Sequence, residues 1–135
     1  MTIIITGVAG LVGSNLAGFF LKRNVKVIGI DNLILGKRKN IKNLLLSNNF
    51  YFKKLDLSNY KSVKKFFNKI KKKKIKTIWH FAANSNIKRG ANGFDIDYKN
   101  TFLTTFNLIK ICKEFNIVKF CFASTSAVYG NFENK

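Results

Sequence analysis

The chain has 135 residues, 47% of them hydrophobic, which is enough for one domain with a core of its own. It sets 25 basic against 6 acidic residues, for a formal net charge of +19. No apolar run approaches the roughly 18 residues of a membrane span. No basic segment leads into an apolar one at the start, so neither a membrane helix nor a signal peptide is expected, and the expected compartment is the cytoplasm.

The charge raises the question of nucleic acid. Only Arg23, Arg38 and Arg89 are arginines, whereas bidentate contacts to phosphates and bases favour arginine. Lysine, asparagine, isoleucine and phenylalanine are abundant together and share A/T-rich codons, so coding bias accounts for the balance. No nucleic-acid partner is expected, although the field would draw anionic substrates. Cys112 and Cys121 lie among apolar residues and read as core fillers. With a single histidine they offer no metal-ligand set.

Along the chain, short β-like runs alternate with amphipathic helical patterns. Thr2–Thr6 reads as a buried strand, and Ser14–Arg23 as a helix with Leu16, Phe19 and Phe20 on one face. Val25–Ile30 is a second strand, Asn40–Leu46 a short helix, and Phe50–Leu55 a third strand. Ser58 is the expected N-cap of the next helix, where Val63, Phe66, Phe67 and Ile70 share a face. The lysine run Lys71–Lys74 closes that helix, where cations suit the dipole. Ile75–Phe81 is a fourth strand and Asn84–Phe94 a loop. A long helix spans roughly Asp97–Phe115, with a wide stripe of Phe102, Leu103, Phe106, Ile109, Cys112 and Phe115. Ile117–Ala123 is a fifth strand. Such alternation predicts an α/β fold of three layers around a parallel sheet with right-handed crossovers.

Between the first strand and the first helix lies Thr6-Gly7-Val8-Ala9-Gly10-Leu11-Val12-Gly13. Gly7 would permit the tight turn, Gly10 a close approach of backbone to a pyrophosphate, and Gly13 the packing of helix on strand. The helix N-terminus would then present free N–H groups to the anion. Asp31 ends the second strand, where a carboxylate accepts bonds from a ribose 2′-OH and repels a 2′-phosphate. The pattern is that of a Rossmann dinucleotide-binding domain, with NAD favoured over NADP. Lys37 and Arg38 nearby weaken that exclusion.

Five segments in order sharpen this: TGVAGLVGSNL, DNLILGKRKN from Asp31, Asp56-Leu57, His80-Phe81-Ala82-Ala83, and Ala123-Ser124-Thr125-Ser126-Ala127-Val128-Tyr129-Gly130. Together they resemble the N-terminal part of the NAD-dependent epimerase/dehydratase family of extended short-chain dehydrogenases/reductases, and within it the nucleotide-sugar 4-epimerases. The resemblance covers the whole chain. It implies that Leu11 and Val12 meet the pyrophosphate, that Asp31, Asn32 and Gly36 form the adenosine side, and that Asp56 and Leu57 flank the adenine. Phe81, Ala82 and Ala83 would line the channel to the nicotinamide with Ser124 beside it, and His80 would be structural. Thr125 takes the place of the catalytic serine or threonine. Ser126 and Ala127 stand where the related dehydratases carry acidic residues, which favours epimerisation or simple redox chemistry. The long helix would form a homodimer interface.

Two departures stand out. The family carries an asparagine before a Gly-Thr pair early in the long helix. Here that register reads Thr101, Thr104 and Thr105, and Asn100, one helical step of about 100° away, is expected to face elsewhere. The general base of the family is the tyrosine of a Tyr-x-x-x-Lys motif beyond the Val128-Tyr129-Gly130 segment. Tyr129 is followed at the fourth place by Glu133, so the chain is expected to lack that motif and to be a truncated, N-terminal portion of residues 1–135, cut after the fifth strand. The implied function is the NAD-binding part of an epimerase that removes and returns hydride at a sugar carbon, C4 of a UDP-sugar. A dehydratase, a reductase or a non-catalytic NAD-binding module are the alternatives. Without a sixth strand, Val118–Phe122 is expected at an exposed, aggregation-prone edge.

Overall fold

The computed structural model describes residues 1–86, 88, 90 and 93–125. Five strands, β1 (Thr2–Thr6), β2 (Lys26–Asp31), β3 (Phe50–Lys54), β4 (Ile75–His80) and β5 (Lys119–Phe122), form one sheet in the order β3-β2-β1-β4-β5. Every pairing is parallel. This is the expected three-layer α/β arrangement, and the order reverses on either side of β1.

β1 holds the centre because it is apolar on both faces. Ile4 points into a core with Ile28, Ile78, Val63, Phe67, Leu108 and Ile111. Ile3 and Ile5 point the opposite way, into a core with Val8, Ala17, Val27 and Phe50. The first core lies under α2 (Tyr60–Ile70) and a second long helix, the other under α1 (Leu11–Leu21). Thr6 stands level with Ile30 of β2 and His80 of β4, so three strands end together. A crevice opens above those ends.

Several elements differ from expectation. α1 begins at Leu11 rather than Ser14, directly from the glycine loop. Its Leu16 and Phe20 pack on the core, but Phe19 is exposed beneath the Arg23 guanidinium, 3.6 Å from the ring centre. The expected helix over Asn40–Leu46 is two 3₁₀ turns, Arg38–Ile41 and Leu44–Leu46. The cap of α2 is Asn59, whose side chain accepts from the Ser62 N–H at 3.0 Å. Ser58 instead binds Asp56. After α2 the lysine run forms a 3₁₀ turn, Lys71–Lys73, and Lys74 reverses the chain at φ +48°. The loop expected over Asn84–Phe94 falls partly outside the described residues.

The long helix has three parts: α3 (Phe94–Asp97), a π-helical turn (Tyr98–Leu103) and α4 (Thr104–Glu114). Leu108 and Ile111 enter the core. Phe102, Phe106 and Ile109 of the expected stripe stay exposed beside Tyr98, and Tyr98, Phe102 and Phe106 stack ring on ring at 5.7 and 6.0 Å. β5 is an outer strand among the described residues, flanked by exposed Val118 and ending in exposed Phe122. Cys112 and Cys121 are half-buried rather than core-buried, and burial pushes the Cys112 thiol up to about 11.

Candidate functional site

The crevice above the strand ends is a cleft of ≈ 620 Å³, within the size range of small-molecule sites. Its first wall is backbone. Gly7 turns the chain at φ +66°, and a Cβ there would stand 2.7 Å from the Phe81 carbonyl carbon and 2.8 Å from the Ala82 nitrogen. Gly13 is as tightly held, since its Cβ would fall 2.3 Å from the Gly7 carbonyl oxygen. A Cβ on Gly10 would meet only that same oxygen, at 3.2 Å. Gly10 is also the N-cap of α1, with no capping side chain and no acidic residue in the first turn. The first amide groups of α1 thus lack intrahelical acceptors where the cleft passes. Leu11 and Val12, 78% and 58% exposed, flank this end, and Ile34 is 53% exposed across from them.

Asp31 closes the same wall. It is buried, and its carboxylate accepts from the Ala9 N–H at 2.9 Å and the Leu33 N–H at 2.8 Å. Gly36 packs directly on it, since a Cβ there would stand 2.8 Å from both carboxylate oxygens. Each oxygen accepts further bonds, so Asp31 both ties its loop and offers negative charge to the cleft. The loop is fastened again at Ala9, whose carbonyl accepts from the Lys37 N–H at 3.0 Å and from Asn40 Nδ2 at 2.8 Å. Lys37, Lys39 and Asn40 line the cleft beside Asn32.

The second wall hangs on side-chain hydrogen bonds. Thr6 Oγ1 accepts from the Phe81 and Ala82 N–H groups, both at 3.3 Å. Its own proton therefore goes to His80 Nδ1, at 2.6 Å. His80 Nε2 then carries the ring proton and donates to Thr105 Oγ1 at 3.0 Å, which donates onward to the Thr101 carbonyl at 2.8 Å. Burial holds His80 neutral, its pKa lowered to about 4. The imidazole is thus buried and neutral, with both nitrogens engaged in holding this wall. Thr101 Oγ1 accepts from the Asn84 N–H at 3.0 Å, fixing the chain after Ala83.

The cleft brings together Gly7, Gly10, Leu11, Val12, Gly13, Asp31, Asn32, Gly36, Leu57, Phe81, Ala82 and Ala83, as the sequence suggested. It does not include Asp56, whose Oδ1 accepts from the Ser58 N–H and hydroxyl at 2.9 and 2.7 Å. Leu55 and Leu57 line the cleft on either side of it. Ser124 and Thr125 are exposed, just past Ala123, which lines the cleft directly after the end of β5. The Ser126–Gly130 part of the motif, with Glu133 and Lys135, lies outside the described residues. Asn100 departs from expectation: it and Thr104 line the cleft, while Thr101 and Thr105 face Asn84 and His80. Thr6 and Asn107 are the residues that sequence reasoning passed over. Asn107 is buried on α4 and donates from Nδ2 to the Leu57 and Ser58 carbonyls at 2.9 and 3.0 Å.

A Tyr-x-x-x-Lys spacing does occur, against expectation, at Tyr60 and Lys64 of α2. Neither residue lines the cleft. Tyr60 donates to Glu114, which also pairs with Lys64 at 2.9 Å. The Glu114 hydrogen bond raises the Tyr60 pKa, the opposite of what a tyrosine base requires.

A family model described as GDP-mannose 4,6 dehydratase matches residues 4–135. The UDP-glucuronate 4-epimerase of Thermodesulfobacterium geofontis is 30% identical over an alignment of 131 residues that covers 93% of this chain and 40% of that protein. The solved UDP-Glc/GlcNAc 4-epimerase of Campylobacter jejuni shares 34% identity at a TM-score of 0.88, over 98% of this chain and 40% of that one. The UDP-glucose 4-epimerase of Thermus thermophilus, solved with NAD, shares 29% identity at a TM-score of 0.81, over 93% of this chain and 38% of that one. The chain thus spans about 40% of the length of the relatives it matches.

Proposed function

Because the chain belongs to the GDP-mannose 4,6 dehydratase family, a group of NAD-dependent epimerases and dehydratases, we propose that it is the NAD-holding portion of a nucleotide-sugar 4-epimerase. The observation that carries this is the glycine wall: Gly7 and Gly13, whose missing side chains let backbone close on backbone, and Gly10, open to the cleft at a helix start with no side-chain cap. An extended, doubly charged ligand fits it. The α1 amide groups would receive the pyrophosphate, and exposed Leu11, Val12 and Ile34 would be covered by the bound dinucleotide. Asp31 would accept the adenosine ribose hydroxyls and disfavour a 2′-phosphate, with Asn32 and Gly36 beside it.

NAD would supply a hydride acceptor and donor for a sugar carbon, C4 of a UDP-sugar. The residues of this chain prepare the ground for that chemistry. Asp56 and Leu57 would border the adenine. Phe81, Ala82 and Ala83 would guide the ligand along the second wall towards Ser124, and the Thr125 hydroxyl would hold the sugar oxygen. The helix carrying the Tyr98–Phe102–Phe106 stack would pair with a second copy, forming a homodimer. Sugar dehydration is the second reading, favoured by the description of the matching family model. Ser126 and Ala127, in place of acidic residues, weigh against it.

Calorimetric titration tests the central point. NAD is expected to bind more tightly than NADP, and Gly10→Val, which fills the cleft rather than the core, is expected to abolish binding. Equal binding of NAD by the variant, or a preference for NADP, would overturn the reading.

A further inference from the structure

Nine of the 22 lysines fall between residues 61 and 76, and no acidic residue occurs between Asp56 and Asp95. Coding bias accounts for how much lysine the chain holds, not for its gathering on one face. All nine are exposed. On α2, Lys61, Lys65 and Lys69 recur at every fourth residue with Lys64 and Asn68 beside them, a row of cations along about 12 Å of helix. The row runs on into the Lys71–Lys73 turn. Val63, Phe66, Phe67 and Ile70 take the other face of α2 and are buried in the core.

The arrangement costs stability. Like charges four residues apart repel along a helix. Lys74 adds to the cost, because it holds φ +48° at the end of the turn, a left-handed position that glycine fills without strain. Glu114 of α4 offsets a part by pairing with Lys64 at 2.9 Å, and among the described residues no second acidic group pairs with this face. Lys110 of α4 adds a further cation, its Nζ 4.1 Å over the Tyr60 ring. A shallow trough of ≈ 560 Å³, lined by Tyr60, Lys61, Lys64, Lys65, Asn68 and Lys69, lies among these ammonium groups.

The shape of the face decides which polyanion it fits. α2 is packed on the core along its length, so it cannot enter a groove of duplex DNA, which admits a protruding helix. The aromatic ring on this face, Tyr60, is covered by Lys110 and tied through its hydroxyl to Glu114, so it offers no platform for base stacking. No arginine stands in the run to fork a phosphate or a base. Lysines in one row are point charges that a flat anionic surface meets together.

We propose that this lysine face docks the chain on a bilayer that carries anionic headgroups, held by charge with no side chain inserted. None of the nine lysines lines the cleft, so the docking face is separate from the site described above and does not depend on the NAD reading.

Flotation with vesicles tests the proposal. The chain is expected to rise with vesicles of phosphatidylserine and phosphatidylcholine in equal parts, to stay behind with phosphatidylcholine alone, and to be released by added salt. Lys61→Gln, Lys65→Gln and Lys69→Gln together relieve repulsion within α2 at similar helix propensity, so the variant is expected to fold. Its partition to the anionic vesicles is expected to fall about a hundredfold. The same exchange at Lys22, Lys26 and Lys42, exposed lysines outside the run, is expected to cost far less. Equal losses in the two triple variants would mean that net charge alone binds the vesicles and would overturn the docking face. Flotation with phosphatidylcholine alone, or with neither vesicle, would overturn it too. If the α2 variant instead releases duplex DNA that the unchanged chain retains, with vesicle binding unaltered, the face belongs to nucleic acid and the proposal falls.

Discussion

On the β1–β2 side the cleft is walled by backbone against backbone, and on the β4 side by a chain of side-chain hydrogen bonds. Gly7 and Gly13 shape the first wall by having no side chain, so its geometry is set by steric exclusion. Thr6, His80, Thr105 and Thr101 shape the second as a chain of hydrogen bonds, each donated to the next, so its geometry depends on protonation state. At Gly7 and Gly13 the first wall tolerates no added atom, and that packing involves no titrating group. The second tolerates conservative exchange but fails when a proton is gained. Under the proposed function, the anionic part of the dinucleotide would meet the rigid wall, and the reacting part the wall built from side chains.

The largest expected effect breaks the first wall. Gly13→Ala puts a Cβ 2.3 Å from the Gly7 oxygen and 2.8 Å from the Val8 Cα, both backbone atoms that cannot step aside cheaply. The expected loss is about 3 kcal/mol or more in urea denaturation. Gly10→Ala, whose nearest atom would lie at 3.2 Å, is expected to stay close to the unchanged chain. Similar stability for the two variants would show that the glycines are not packing against the turn.

The second wall is broken by acid. The His80 pKa is lowered from 6.5 to about 4 by burial, so the unfolded state takes up the proton first. Stability from this group is complete above pH 6.5, declines as pH falls towards 4, and levels off below, for a total of about 3 kcal/mol. His80→Gln keeps an acceptor towards Thr6 and a donor towards Thr105 without a titrating group. Its denaturation midpoint is expected to vary less between pH 4 and 7 than that of the unchanged chain. Parallel curves would remove His80 from the role of neutral link.

How far each wall could be read in the sequence follows from the same contrast. Steric exclusion needs glycine and shows as glycine, so Gly7, Gly10 and Gly13 could be found by spacing, and Asp31 by its place after a β-branched run. The sheet was legible too, because Thr2–Thr6 is apolar on both faces and can only be central. Hydrogen-bond networks leave no periodic trace. Thr6 looks like the end of a strand, and Asn107 interrupts an apolar stripe without signalling that two carbonyls depend on it. Asn100 was misplaced for a related reason: one π turn changes the phase of every residue upstream, and a regular 3.6-residue period has no place for it. The cap of α2 moved from Ser58 to Asn59 because Asp56 draws the Ser58 hydroxyl to itself.

Asn107 joins the two walls, and its replacement is the mildest of the three tests. It reaches from α4 to the Leu57 and Ser58 carbonyls, so the Leu57 side of the cleft is fastened to the long helix. Asn107→Leu keeps the volume but leaves both carbonyls without this donor, one of them in a buried contact, for an expected loss of about 2 kcal/mol. The loss should not be confined to stability. Leu57 lines the cleft, so a loosened Leu57 should weaken ADP-ribose and NAD by the same factor. An Asn107→Leu chain that loses stability but binds both ligands unchanged would mean that the two walls are joined only through the sheet.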